Sequence, residues 1–233
     1  MLKNYTDNFK KTFDKEYFIK YYFGTTGNFG PSELQRNKNW FYGWFESLNK
    51  DYDFTKGKGR KVLEIGCAIG AAADILHERG FDVTATDISR FAIKKNKKFL
   101  PNIKFKVLDI EKTQKENNYY DLIYAFEVIE HLQNPEKAIN NMFNMLKKGG
   151  TLICSTPYPY KHSLYVDKTH VNVRYPVEWV MAFRKSGFIK IWHREKTFIP
   201  FFYRISKYLH FILPFGVNNP YLNSHVFIIG QKI

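Results

Sequence analysis

Two glutamates and a histidine crowd the segment EVIEH: Glu127, Glu130 and His131. Glu127 and Glu130 are three positions apart, and Glu127 and His131 are four apart. A helical turn would put all three on one face. A second imidazole, His170, follows in the loop DKTHVNVRYP. Two carboxylates with an imidazole suit a hard divalent cation such as Mg²⁺. An imidazole can also act without metal, with His131 as general base. The candidate catalytic residues are therefore His131, Glu130 and His170, and the candidate metal ligands are these three with Glu127. A plainer role is open too, in which Glu130 and His131 only cap and orient the loop after a strand.

The element that must position this chemistry is the stretch 61–70, KVLEIGCAIG. Val62, Leu63 and Ile65 read as a buried parallel strand, because such strands are apolar on both faces. Gly66 allows a sharp turn, and Ala68 and Gly70 leave little side chain between the backbone and whatever lies over it. The helix formers of 71–79 follow, closed by Gly80. A strand that bends tightly into a helix makes a cleft at the carboxyl edge of a sheet, where free N–H groups favour an anionic ligand group. Asp87 ends the next strand, 21 positions beyond Gly66. An acid about 20 residues after the bend can accept hydrogen bonds from both hydroxyls of a ribose. That suits S-adenosylmethionine (SAM) and NAD equally. Asp87 could instead serve a helix N-terminus beside Ser89, and the bend could be a turn with no ligand. The third strand ends at Leu108-Asp109-Ile110.

With its acid Glu64 and the small residues Gly66, Ala68 and Gly70, the bend resembles motif I of class I SAM-dependent methyltransferases, an acid followed by Gly-x-Gly-x-Gly. Ala68 departs from the pattern, and the departure is tolerable where the backbone keeps φ negative. The block 121–132, DLIYAFEVIEHL, followed by NPEKAINNMFNMLKKGGTLICSTP, resembles the same family's later motifs in order and spacing. The resemblance covers residues 58–160, weakly to 190. It is of the type 11/23 kind, similar to the ubiquinone-pathway O-methyltransferases. It implies SAM as cofactor, contacted by Glu64, Gly66, Cys67, Ala68, Gly70 and Asp87. It further implies Asp109 at the adenine amino group, Ile88 and Ile110 on the adenine faces, and Phe126 and Glu127 facing the cofactor. EVIEH also resembles the small-RNA 3′-terminal 2′-O-methyltransferases, whose two Glu, His and later His hold a metal. His170 matches that later His, with a shorter spacing and different surroundings.

Strands alternating with helices from residue 61 imply an α/β fold, a doubly wound, mostly parallel, seven-stranded sheet with its last strand, 225–231, antiparallel. Residues 1–55 read as an N-terminal helical extension across the cofactor cleft, with Phe9, Phe13, Tyr17, Tyr21 and Tyr22 at helical spacing. Residues 56–233 read as the methyltransferase domain, with a cap inserted at 195–223. Within the cap, Phe202, Ile205, Leu209 and Ile212 would share one face of an amphipathic helix opposite Arg204, Lys207 and Tyr208. That face would pack as a lid or meet lipid or a lipid-linked acceptor.

Net charge is +14 and the sequence pI is about 9.5. Much of this is scattered lysine, such as Lys94, Lys95, Lys97 and Lys98, on one solvated helix face. The cap lacks the clustered Arg and Lys of an RNA-binding surface. The two cysteines, Cys67 and Cys154, sit in apolar contexts, which fits a reducing cytosol rather than a disulfide framework. No apolar leader opens the chain, and no run approaches the ~20 residues of a spanning helix. The expected function is SAM-dependent O-methylation of a small-molecule hydroxyl on a saccharide or quinone-like acceptor, in the cytoplasm. The alternatives are metal-dependent RNA ribose methylation, a non-catalytic SAM-fold module and a NAD-dependent oxidoreductase. Oligomeric state is left open.

Overall fold

The computed structural model describes residues 13, 15–21, 30–112, 117–159, 167, 169–199, 202–204, 206–219 and 222–233. Two helices come first, α1 (Lys15–Tyr21) and α2 (Pro31–Ser47). Then strand and helix alternate: β1 (Lys61–Ile65), α3 (Ala71–Glu78), β2 (Asp82–Asp87), α4 (Arg90–Phe99), β3 (Lys104–Val107) and β4 (Tyr120–Phe126). The second half holds α5 (Pro135–Met145), β5 (Leu146–Pro157), α6 (Pro176–Lys185), β6 (Lys190–Phe198), β7 (Ile212–Leu213) and β8 (Asn223–Gln231).

The sheet has eight strands in the order β3-β2-β1-β4-β5-β8-β6-β7. The expected count was seven; the addition is the two-residue edge strand β7. From β3 to β5 every pairing is parallel, and β8 runs antiparallel to both β5 and β6. The strand order reverses between β1 and β4. The carboxyl ends of β1, β2 and β4 therefore diverge around one crevice, the usual ligand position in such sheets.

Local chemistry explains the boundaries. Gly66 has φ +75, and a Cβ there would stand 2.4 Å from Val128 Cγ2. Gly70 has φ +76, with Leu100 and Phe105 each 3.1 Å from where its Cβ would lie. Both positions require glycine. Ser89 caps α4 by accepting from the Ala92 amide, and Asn134 caps α5 by accepting from Lys137. Helix α5 stops at Met145, because Leu146 is already paired with Tyr120 across a register shift in the sheet.

The N-terminal helices join the main core. Trp44 and Phe45 of α2, with Leu48 just beyond its end, are buried with β1, β4 and β8 side chains. Lys38 is also buried, and its ammonium lies 2.7 Å from both Asp74 and Glu78 of α3. The buried charge is thereby paired rather than orphaned. Of the aromatic series, Phe9 and Tyr22 lie outside the described residues.

The cap departs from expectation. Residues 202–204 form a short 3-10 turn, 207–208 a second turn, and Ile212 pairs in β7. No continuous amphipathic helix spans 202–212 among the described residues, and Ile205 lies outside them. The segment instead docks on α2: His210 Nε2 is 2.6 Å from the Asn39 carbonyl, and the Asn39 amide group donates to the Tyr203 carbonyl.

Candidate active site

Two connected cavities lie at the crevice. One encloses about 710 Å³ of space open to solvent. Its walls include Asp87, Ile88, Asp109, Ile110, Phe126, Glu127 and His131, together with Phe13, Tyr17 and Phe18 from the N-terminal segment. The other, about 570 Å³, lies between the bend and α2, walled by Glu64, Cys67, Trp40, Phe41 and Trp44. Gly66, Ala68, Phe126 and Glu127 belong to both. Gly70 lies behind the bend, against Leu100 and Phe105.

The bend is held from below. Asp87 Oδ2 accepts from the Ala68 amide at 2.9 Å, and Oδ1 accepts from the Ser89 amide at 2.8 Å. The Asn96 side chain donates to the Ala68 carbonyl at 2.8 Å. Ala68 has φ +45, in the left-handed region rather than at the expected negative value. These bonds hold an alanine where glycine would rest without strain. Burial pushes the Asp87 carboxyl up to about 6, against the pull of its amide donors. Burial likewise raises Glu64 to about 8, with Asp87 adding to the effect. One Glu64 oxygen has no hydrogen-bond partner. Cys67 is buried beside them, its thiol pushed well above its ordinary range by burial.

After β4 the chain does not form the expected helical turn. Glu127 has φ +54, and a 3-10 turn covers only Ile129–His131. The two glutamates therefore take different partners. Glu127 Oε1 accepts from Ser155 Oγ at 2.7 Å and lies 3.2 Å from His225 Nδ1. Glu130 is fully buried, and both its carboxylate oxygens lack hydrogen-bond partners. Ligand atoms of Glu130, His131 and His170 all fall within 4.8 Å of one another. Burial and the neighbouring Glu127 charge raise Glu130 well above the carboxylate range.

His131 Nδ1 lies 3.1 Å from the Thr169 carbonyl and 2.9 Å from Thr169 Oγ1, whose own proton goes to Asp167. Both contacts ask Nδ1 to carry the hydrogen, which leaves Nε2 as the lone-pair nitrogen. Burial lowers His131 to about 4, so the ring is neutral near pH 7. The Glu130 carbonyl accepts from the Val171 and Asn172 amides, which pins the turn to the 169–172 loop.

Of the four candidate ligands, the structure gathers Glu130, His131 and His170, one carboxylate and two imidazoles able to hold a metal ion, and leaves Glu127 with Ser155 and His225 instead. Nitrogen-rich donors suit Mn²⁺, Fe²⁺, Co²⁺ or Zn²⁺ and are poorly matched to oxygen-seeking Mg²⁺.

His225, Ser155 and Thr169 carried no signal in the sequence. Each is an ordinary strand or loop residue, brought to the site by pairings such as Pro157 opposite His225. Trp40 and Trp44 of α2 both pack on the core and wall the second cavity.

A family model described as a methyltransferase domain matches residues 36–198. The chain belongs to this methyltransferase family. Its fold is the class I SAM-dependent one. This methyltransferase is 34% identical over 103 residues to a ubiquinone biosynthesis O-methyltransferase of Coxiella burnetii, covering 42% of this chain and 44% of that protein. It is 26% identical over 151 residues to phosphoethanolamine N-methyltransferase 3 of Arabidopsis thaliana, covering 60% and 31%. It thus spans under half the length of these relatives. Among solved structures, a SAM-dependent methyltransferase from Archaeoglobus fulgidus superposes with a TM-score of 0.62 at 17% identity, covering 84% of this chain and 94% of that one. Phosphoethanolamine N-methyltransferase 2 of Haemonchus contortus, bound to S-adenosylhomocysteine, gives 0.60 at 15% identity, covering 84% and 53%. No helix among the described residues is long and apolar enough to cross a membrane.

Proposed function

We propose that this chain transfers the methyl group of SAM to a hydroxyl of a small, non-anionic acceptor, with His131 receiving the hydroxyl proton. The observation that carries this reading is the joint presence of Asp87, Glu127 and His131 on one cavity wall. SAM supplies a methyl group already activated on a sulfonium sulfur, so no covalent protein nucleophile is needed. Asp87 accepts from the ribose hydroxyls, and Asp109 with Ile88 and Ile110 holds the adenine. Glu64, Gly66, Cys67 and Ala68 face the amino-acid end, while Gly70 shapes the bend from behind. His131, oriented through Nδ1 by Thr169, takes the proton as the acceptor oxygen gains the methyl. Glu130 and His170 flank that imidazole.

Among the described residues, the cavity walls carry five acidic side chains, those of Glu64, Asp87, Asp109, Glu111 and Glu127, and neither Lys nor Arg. In a chain of net charge +14, such segregation favours a neutral or cationic acceptor over RNA or a phosphate ester. The O-methyltransferase relative supports a hydroxyl, and a saccharide or quinone-like ring meets both conditions. The trio Glu130, His131 and His170 favours the second reading, a metal-assisted ribose methyltransferase. A purely binding module is the third.

Residues 1–55 serve as an extension over the cleft, supported by Phe13, Tyr17 and Phe18 on its wall and by Phe13 edge-on to His131 at 5.5 Å. Residues 56–233 form the methyltransferase domain, and 195–223 its cap. Phe202, Tyr208, Leu209, Phe211 and Phe215 are exposed on that cap beside Lys207, which supports contact with lipid or a lipid-linked acceptor. Two free, buried cysteines support a reducing compartment such as the cytoplasm.

The test is a transfer assay with methyl-labelled SAM against glycan, quinone and RNA pools, with and without EDTA. Label in a neutral hydroxyl compound, insensitive to EDTA, upholds the first reading. EDTA-sensitive label in RNA upholds the second. Cofactor binding with no label in any pool leaves the third.

A further inference from the structure

Glu127 is constrained more tightly than a cavity-lining glutamate needs to be. Its φ of +54 is one that L residues rarely adopt. Its amide donates to Ser155 Oγ at 3.0 Å, and the same hydroxyl donates back to Oε1 at 2.7 Å. On the other side His225 Nδ1 stands 3.2 Å from Oε1. The His225 ring is buried and packs on Trp44, centroids 4.9 Å apart, and on Phe198 at 5.8 Å. Neither His225 nitrogen has a hydrogen bond among the described residues, so the ring's one polar engagement there is this carboxylate. Although burial opposes its charge, His225 and Ser155 prevail and hold Glu127 below the usual carboxylate range.

This fixed carboxylate stands where the two cavities meet, shared by both. Among the described residues, neither cavity wall offers a Lys or Arg to neutralise it. Phe41, Trp44 and Phe126 also line the cavity between the bend and α2, and aromatic rings suit a cation.

We propose that Glu127, aimed by His225 and Ser155, is the counter-charge for the sulfonium of the cofactor, and that His225 is a positioning residue acting through it. This rests on the reading that the cleft binds SAM. When the methyl passes from sulfur to the acceptor oxygen and the acceptor proton passes to a base, sulfur goes from positive to neutral. The attraction to Glu127 then ends, which favours release of the neutral thioether product over the cationic reactant.

The experiment is calorimetric binding of SAM and of S-adenosylhomocysteine to the full chain and to Glu127→Gln, His225→Phe and His225→Asn, each checked for folding by circular dichroism. SAM affinity should fall about tenfold in Glu127→Gln, as expected for one lost charge pair in a partly buried site. Affinity for S-adenosylhomocysteine should change less than about twofold. Both His225 variants should shift the ratio the same way by a smaller factor. A variant that weakens both ligands equally, or neither, overturns the proposal. If the unaltered chain binds neither ligand, the cofactor reading itself fails, a result distinct from an unchanged ratio.

Discussion

The Ala68 amide donates to the Asp87 carboxylate at 2.9 Å, tying the bend after β1 to the end of β2. One oxygen thus shapes the small-residue turn while the same side chain faces the cavity it shares with Asp109 and Ile110. Asp87 cannot be altered for binding without disturbing the bend, and its protonation reaches both.

SAM affinity should therefore depend on pH. Burial raises Asp87 to about 6 in the free protein, and ribose hydroxyls bond more strongly to the ionised form. Affinity should be flat above about pH 7 and fall up to about tenfold per unit below 6, as proton and ligand compete. Calorimetry between pH 5 and 8 measures this. A flat profile would remove Asp87 from ribose binding.

Glu64 gives a stability test with a defined sign. Its folded-state value, about 8, lies above the ordinary carboxylate value of 4.5. The stability this group contributes is fully present below about 4.5 and is lost as pH rises through 8. Glu64→Gln should raise the melting temperature of the ligand-free chain at pH 8.5 by a few degrees, roughly 1–2 kcal/mol. At pH 5 it should change little. An equal shift at both values would contradict the assignment.

At Ala68, φ +45 predicts that glycine is better tolerated than the native residue. Left-handed backbone costs an L residue ~1–2 kcal/mol, and glycine's extra chain entropy returns ~0.5–1 of that. Ala68→Gly should stabilise by about 0.5–1 kcal/mol in urea titrations. A loss of stability would mean that the methyl group packs usefully.

The nitrogen-rich trio makes a metal prediction with a readout independent of turnover. Millimolar Mg²⁺ should leave the melting temperature unchanged, whereas Mn²⁺ or Co²⁺ should raise it by a few degrees. His170→Ala should abolish that rise. A Mg²⁺ response would restore the two-carboxylate site suggested by the sequence.

For the chemistry, His131→Gln should lower kcat about 100- to 1000-fold, in the range of a lost general base. SAM binding should change less than about threefold. A matching loss in binding would make His131 a wall residue only.

What could be read from the residues follows from how local their causes are. The strand KVLEI, its glycine turn and Asp87 obey short-range rules of burial, backbone freedom and spacing. They appear at the expected positions. EVIEH obeyed no such rule: Glu127 takes a left-handed conformation, with Ser155 of β5 and His225 of β8 against its carboxylate. That broke the helical face assumed for the two glutamates and left Glu127 out of the cluster that Glu130, His131 and His170 form. The 202–212 segment showed helical periodicity, yet its contacts are with Asn39 of α2 and with β6. Tertiary docking there overrode an apolar pattern too short to stand alone.

The position of β8 has a consequence for biosynthesis. It lies between β5 and β6, yet follows both in the chain. A nascent polypeptide that has emerged only as far as residue 222 presents two unsatisfied strand borders, and neither can be closed by the other. Ribosomal stalling or proteolysis just before this strand would yield a sticky half-sheet rather than a shortened enzyme.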